Sequence, residues 1–331
     1  MKAILNRLTQ HEHLSKEEAS QMIVNIADGQ YNQTEIAAFL TVYMMRRISL
    51  HELEGFREAL LALCIAIDLS EFDTIDLCGT GGDGKDTFNI STLAAFVTAA
   101  AGVNVAKHGN YGVSSGCGSS NVLEALGIKF SNDEDFLKRC VDRAGICILH
   151  APLFHPAMKN VAQVRKDLGV KTFFNMLGPL VNPSFPKSQL TGVFNLELAR
   201  LYHYLFQKTD TNFTILHALD GYDEISLTGP TKVFGNNSET VLTPQDFGVS
   251  PLQPNQIAGG NNVKSSADIF LNVLQNKGTE AQQQVVCANA GMAIATAQNL
   301  TPQQGFEKAK ESLLSGKAFS TLTSLQNLSK E

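Results

Sequence analysis

From Thr74 onward, short apolar runs alternate with helical ones, and this alternation limits the fold more than any other feature. "TIDLC" reads as a buried strand. A glycine-rich turn follows it, and then a helix, "STLAAFVTAAAG". "VNVAKHG" is the next strand, "NVLEALG" is helical and "GICILHAP" is strand-like. The segment "HPAMKNVAQVRKDLGVKTFFNMLGPLVNP" interrupts with two helical runs ending at Gly178-Pro179. "SQLTGVFN", "NFTILHALDG" and "ISLTGPTKVFG" return to strand patterns, and the tail beyond Ala267 is mostly helical.

The start of the chain reads as helices alone. Ser15 with Glu18, and Ser49 with Glu52, form capping-box patterns, and Gly29 stops the first of these helices. Ile36, Phe39, Leu40, Tyr43 and Met44 recur at helical spacing. They fit a core stripe first and a subunit contact second. The expected fold is therefore α/β. A small all-helical domain (1–70 with 155–183) accompanies a larger α/β domain (71–154 with 184–331) built on a central, largely parallel sheet flanked by helices.

The turn itself, "DLCGTGGDGKDTFNIST", fits several phosphate loops. Gly79, Gly81 and Gly84 satisfy the dinucleotide fingerprint. That pattern also needs an acidic residue at the end of the second strand, where Lys107 stands instead. Gly79, Gly84 and Lys85 satisfy a nucleotide P-loop until Asp86 replaces the required hydroxyl. A strand, a glycine turn and a helix start still converge backbone N–H groups on one point, which suits an anion. Asn89, Ser91 or Thr92 can cap that helix and face the ligand. A second anion-compatible segment, "KHGNYGVSSGCGSS", follows the next strand. It supplies Lys107 and the hydroxyls of Ser114, Ser115 and Ser119. Two such turns one strand apart suit a ligand with phosphate at both ends.

Composition narrows the partners. The net charge of −6 argues against a general nucleic-acid binder. The six cysteines show no paired or zinc-like spacing and read as buried or half-buried thiols. No apolar run approaches the ~20 residues of a membrane helix. The start of the chain does not read as a signal peptide, so a reducing cytoplasm is expected.

The ordered set "GTGGD", "NIST", "KHGN", "GSSNVLEALG", "HPAMKNVAQVRKDLGVKTFFNMLGPLVNP" and "DGYDEISL" spans Gly79 to Leu227. In it the chain resembles the anthranilate phosphoribosyltransferases, within the nucleoside-phosphorylase-like phosphoribosyltransferases. The resemblance implies transfer of phosphoribosyl from 5-phosphoribosyl 1-pyrophosphate to the amine of anthranilate, with Mg2+ as cofactor and a homodimer formed through the helical domain. It implies a donor site at Gly79, Gly82, Asp83, Thr87, Asn89, Ser91, Thr92, Lys107 and Ser119, with Ser114 and Ser115 in the same turn. It implies an anthranilate site at Gly79, Asn110, Arg165 and His108, and metal ligands at Ser91, Asp223 and Glu224. Taken alone, Asp223-Glu224 also reads as an acidic turn, and Arg165 as a surface arginine paired with Asp167. His108 is the one candidate general base, although an aromatic amine, neutral at pH 7, needs none. His155-Pro156 either lines the acceptor path or starts a helix. Tyr111-Gly112 and Asn121 depart from the commoner family pattern. The alternatives are a pyrimidine-nucleoside phosphorylase of the same fold and a non-catalytic nucleic-acid-binding relative.

Overall fold

The computed structural model describes residues 1–112 and 117–331. The chain divides into two compact units, Met1–Ile67 with Ala151–Phe185 and Asp68–His150 with Pro186–Glu331. Among the described residues no helix is long and apolar enough to cross a membrane. All six cysteines are free thiols.

The first unit opens with α1 (Lys2–Leu8), α2 (Lys16–Ala27), α3 (Gln33–Met45) and α4 (Leu50–Ala62). Ser15, Asn32 and Ser49 each accept the backbone N–H three residues on, while Glu18, Glu35 and Glu52 reach back. Each helix therefore carries its own local start signal. Phe39, Tyr43, Phe56 and Phe173 form the core, with ring centroids 4.6–6.1 Å apart. Of the periodic stripe on α3, Ile36, Phe39, Leu40 and Tyr43 are buried, whereas Met44 stays exposed, as does the neighbouring Met45.

Glu52 is the electrostatic keystone of this unit. Its carboxylate is fully buried and accepts from Leu14 N–H at 3.0 Å, Ser49 N–H at 2.9 Å and the Tyr43 hydroxyl at 2.8 Å. Arg46 pairs with it directly. Burial alone would raise its pKa, but Arg46 and these donors outweigh burial and hold it at about 2.

The second unit carries β1 (Ile75–Gly79), α5 (Ile90–Ala100), β2 (Val105–Gly109), α6 (Ser119–Ala125), α7 (Glu134–Ala144) and β3 (Ile146–His150). The chain then returns to the first unit for α8 (Ala151–Phe154), α9 (Lys159–Leu168) and α10 (Phe174–Leu177). It re-enters the second as β4 (Ser188–Gly192), α11 (Leu196–Phe206), β5 (Asn212–Ala218), β6 (Thr231–Gly235) and β7 (Glu239–Leu242). It ends in α12 (Val263–Leu274), α13 (Glu280–Gln298), α14 (Pro302–Leu314) and α15 (Lys317–Leu328).

The strand order is β3-β2-β1-β4-β5-β6-β7. The first five strands are parallel, and β6 and β7 run antiparallel at the edge. One sequence expectation is corrected. "ISLTGP" is irregular, and only Thr231–Gly235 of that run forms a strand; Leu227 within it has φ 57°, a left-handed backbone foreign to a strand. The tail beyond Ala267 is mostly helical as expected, its first helix starting at Val263. The order reverses between β1 and β4, whose register runs from Ile75↔Ser188 to Gly79↔Gly192. In an open parallel sheet the crevice beyond that reversal is where ligands bind.

Glu52 gives the first test. Its folded pKa lies below the unfolded value, so its stabilisation is present above about pH 4.5 and lost as pH falls through 2. Glu52→Ala is expected to cost about 3–5 kcal/mol at neutral pH, because Arg46 is left without its partner. Urea unfolding of both proteins at pH 7 and pH 3 checks this, with the gap between them narrowing in acid.

Candidate functional site

The site grows from the end of β1. Gly81, Gly82 and Gly84 have φ of 64°, 80° and 74°, a left-handed backbone that glycine adopts without strain. The turn rests against the irregular stretch Asp220–Leu227 that follows β5. Asp223 Oδ2 accepts from Gly81 N–H at 2.6 Å, and the Asp223 N–H faces Asp83 Oδ2 at 3.4 Å. A Cβ at Gly79 would strike the Asp223 carboxylate, and one at Gly192 would strike the Asp223 carbonyl. Both strands at the reversal therefore end in glycine because the acidic turn sits on them.

Glu224 reaches the start of α5. Its Oε1 accepts from Ser91 N–H at 2.9 Å. Here the sequence expectation for the cap is corrected. Asn89 makes no cap bond; its Nδ2 donates instead to Cys117 O at 3.0 Å, tying the first turn to the second. The positive end of α5 is thus satisfied by a carboxylate 133 residues away in sequence.

Burial and the neighbouring Asp83 push the Asp223 carboxyl up to about 7. Burial and Asp223 likewise raise Glu224 well above the usual carboxylate range, against the lowering effect of the Ser91 N–H and hydroxyl. Buried carboxylates that repel one another call for a cation. Among the described residues no three His, Cys, Asp or Glu side chains form a ready metal cage. That still fits magnesium, which takes one or two carboxylates and completes its shell with water and substrate phosphate. Asp223, Glu224 and the Ser91 hydroxyl form such an oxygen set. Asp220, in the same turn, faces the hydroxyls of Ser226 and Thr228 instead.

Thr87, Thr92, Lys107 and Ser119, also expected at the donor site, belong to the same unit. Thr87 bridges Ala258, and Thr92 is buried in α5. Lys85 lies over the Tyr222 ring at 4.6 Å. Lys107 is buried, and its ammonium donates to Leu77 O at 2.6 Å. Asp76 answers it by accepting from His108 N–H at 3.1 Å. Beyond the register point Ile75↔Val105, each strand's side chain thus serves the other's backbone. His108 is buried on β2. In the second turn, Ser119 Oγ donates to Asn110 O at 3.2 Å. Asn121 Oδ1 accepts from both Gly112 N–H and Gly118 N–H at 3.0 Å. Tyr111 sets its ring edge on His150, with centroids 4.8 Å apart. Ser114 and Ser115 lie outside the described residues.

Arg165 belongs to the other unit, on α9. The expected surface pair with Asp167 is not formed; Asp167 accepts from Gln163 instead. The guanidinium is half-buried, with Asn175 Oδ1 at 3.4 Å and the Phe174 ring centroid at 5.7 Å. Burial lowers its pKa, and no carboxylate pairs with it among the described residues. His155, also in this unit, is buried, and its Nε2 donates to Val181 O at 2.9 Å. Burial lowers its pKa to about 4.

Sequence reasoning missed Asp76, the second acceptor role of Asn121, and Asp83 as the carboxylate acting on Asp223. The turn glycines signalled close backbone approach, but nothing local named what approaches.

Two family models match the chain, a glycosyl transferase family helical bundle domain over residues 2–64 and a glycosyl transferase family a/b domain over 71–319. An anthranilate phosphoribosyltransferase of Flavobacterium psychrophilum is 71% identical over 329 residues, covering 99% of this chain and 100% of that one. The chain belongs to the anthranilate phosphoribosyltransferase family. The crystal structure of the Thermus thermophilus enzyme superposes with a TM-score of 0.91 at 31% identity, covering 99% of both chains. The Saccharomyces cerevisiae enzyme in complex with PRPP and Mg does so at 0.88 and 26%, covering 98% of this chain and 96% of that one.

The Asp223 shift yields a signed prediction for metal-free protein. Its folded pKa lies above the unfolded value, so its contribution to stability is full below about pH 4 and is lost as pH rises through 7. Asp223→Asn is expected to stabilise the metal-free protein at pH 8 by roughly 2–4 kcal/mol, at about 1.4 kcal/mol per pKa unit. It is also expected to depress magnesium-dependent activity at least 100-fold. Thermal unfolding in EDTA and a steady-state assay check the two halves.

Proposed function

We propose that this chain transfers the phosphoribosyl group of 5-phosphoribosyl 1-pyrophosphate to the amine of anthranilate, releasing pyrophosphate. This is the second step from chorismate in tryptophan biosynthesis. The seating of Asp223 on the glycine turn and of Glu224 on the start of α5, at the point where strand order reverses, carries this reading. The names of the relatives support the substrates, and the yeast complex with PRPP and Mg supports the donor and the metal.

Gly79, Gly82, Asp83, Thr87, Asn89, Ser91 and Thr92 form the donor side of the first turn, and Lys107 and Ser119 belong to the second. Lys107 acts as a fixed positive charge behind the glycine turn, because its ammonium is already bonded to Leu77. Asp223 and Glu224, with the Ser91 hydroxyl, would hold magnesium, which when bound neutralises charge on the departing pyrophosphate. Asn89 keeps the two turns in register, so the donor meets both at once.

Arg165 holds the anthranilate carboxylate. A half-buried guanidinium with no acidic partner among the described residues is a strong receptor for a carboxylate, in a two-pronged geometry. The family resemblance also assigns Asn110, Gly79 and His108 to the acceptor, His108 without taking a proton. The exposed Met44 and Met45 on α3 support a homodimer through the helical unit. Six free thiols suit a cytoplasmic enzyme.

Anthranilate fluorescence is expected to fall when the donor and Mg2+ are added, and benzoate, which lacks the amine, is not expected to be consumed. A protein that leaves the fluorescence unchanged under these conditions does not have this activity. Arg165→Ala is expected to raise the KM for anthranilate about 100-fold, the worth of roughly 3 kcal/mol of charged hydrogen bonding. The KM for the donor should stay within about threefold. Equal effects on both would remove the clamp assignment.

A further inference from the structure

We infer that Asn289 is a positioning residue for the metal-holding carboxylates, acting through the backbone of Ile225. This rests on the proposed function and deepens it.

Asn289 lies in the middle of α13, inside the run Val285–Ala295, where it is the one polar side chain in a buried apolar stretch apart from the Cys287 thiol. It is 4% exposed. A side-chain amide is costly to bury unless every polar atom is satisfied. Here every one is used. Oδ1 accepts from Ile225 N–H at 3.0 Å, and Nδ2 donates to Ile225 O at 2.9 Å and to Val285 O at 2.9 Å. The carbonyl partners can only accept, so the orientation of the amide is fixed by the network itself.

The paired bonds to Ile225 imitate one rung of a strand pair. They grip both peptide planes that flank Ile225. One of those planes begins at Glu224, so its orientation sets the direction in which the Glu224 carboxylate leaves the chain. The stretch needs such a grip. It lies outside regular secondary structure, and its Asp223 and Glu224 repel one another and face Asp83 of the glycine turn. Asp223 holds the glycine turn through Gly81 N–H, and Glu224 holds the start of α5 through Ser91. Asn289 anchors the same stretch from behind, on a helix that also packs against α5.

The probe is Mn2+ in place of Mg2+, titrated by electron paramagnetic resonance with 5-phosphoribosyl 1-pyrophosphate and no acceptor, so that binding is read without turnover. Asn289→Asp keeps the shape and the acceptor but loses both donors; Asn289→Ala loses everything. Both are expected to weaken Mn2+ binding at least tenfold while the KM for anthranilate stays within twofold. Mn2+ binding within twofold of wild type in either folded variant overturns the inference. If neither variant folds, hydrogen exchange at the wild-type Ile225 amide decides. Protection matching the core amides of α13 supports the anchor, and exchange at the rate of an exposed loop overturns it. Wild-type protein that binds no Mn2+ with the donor overturns the proposed function itself, and this inference with it.

Discussion

Two adjacent carboxylates, Asp223 buried on a glycine turn and Glu224 half-buried at the start of α5, govern the rest of the molecule. Both are partly or wholly withdrawn from water, and each faces further negative charge. What holds them is a small set of backbone N–H groups, at Gly81 and Ser91. That arrangement dictates glycine at the ends of both β1 and β4, since a methyl group at either position would occupy the space of Asp223. It also dictates where the sheet can be functional, because only the reversal point leaves room beyond the strand ends for a second layer of chain. Stability is given up there in exchange for a place where a cation and an anionic donor are jointly favoured.

Helix starts are satisfied in two ways, one local and one long-range, and both units contain the local kind. In the first, Ser15, Asn32 and Ser49 cap α2, α3 and α4 within four residues of sequence, and each helix is locally self-consistent. In the second, α5 has no cap of its own. Asn89 is turned away to Cys117, and Glu224 supplies the missing acceptor from across the sheet. The crossed pair Asp76 and Lys107 follows the same logic, with side chains of one strand satisfying the backbone of the other. Polar groups that a purely structural helix or strand would use locally are bonded at long range, so that both turns and the acidic stretch form one connected object.

This difference explains what could be read from the sequence. The capping boxes at Ser15 and Ser49 were legible because each is complete within four residues. The strand–turn–helix alternation and the glycine loop were legible because their periodicity is local. The acidic pair at Asp223 and Glu224 stood out only as chemistry without a place. The strand Glu239–Leu242 escaped notice because it is a short, mostly exposed edge strand with no apolar alternation. Asn289 escaped because its partner is backbone 64 residues away, and a backbone leaves no mark on the sequence. Asn121 escaped for a related reason: an asparagine at the third position of a helix looks like half of a capping box, and its second bond, to Gly112, has no sequence signature.

Arg165 shows the same principle from the side of charge. An exposed arginine gains little from a carboxylate, because water competes for both. Arg165 has been partly removed from water, and its neighbours are a neutral amide and an aromatic face. Neither returns the free energy that a guanidinium loses on desolvation, and the lowered pKa expresses that deficit. A ligand that brings both a carboxylate and a flat ring answers both neighbours at once, the anion meeting the fork and the ring lying near Phe174. A simple amine lacks the anion, and an aliphatic acid lacks the ring. Under the proposed function the selection of anthranilate therefore rests on an incompletely solvated cation, whereas its reactivity rests on an amine that arrives already neutral.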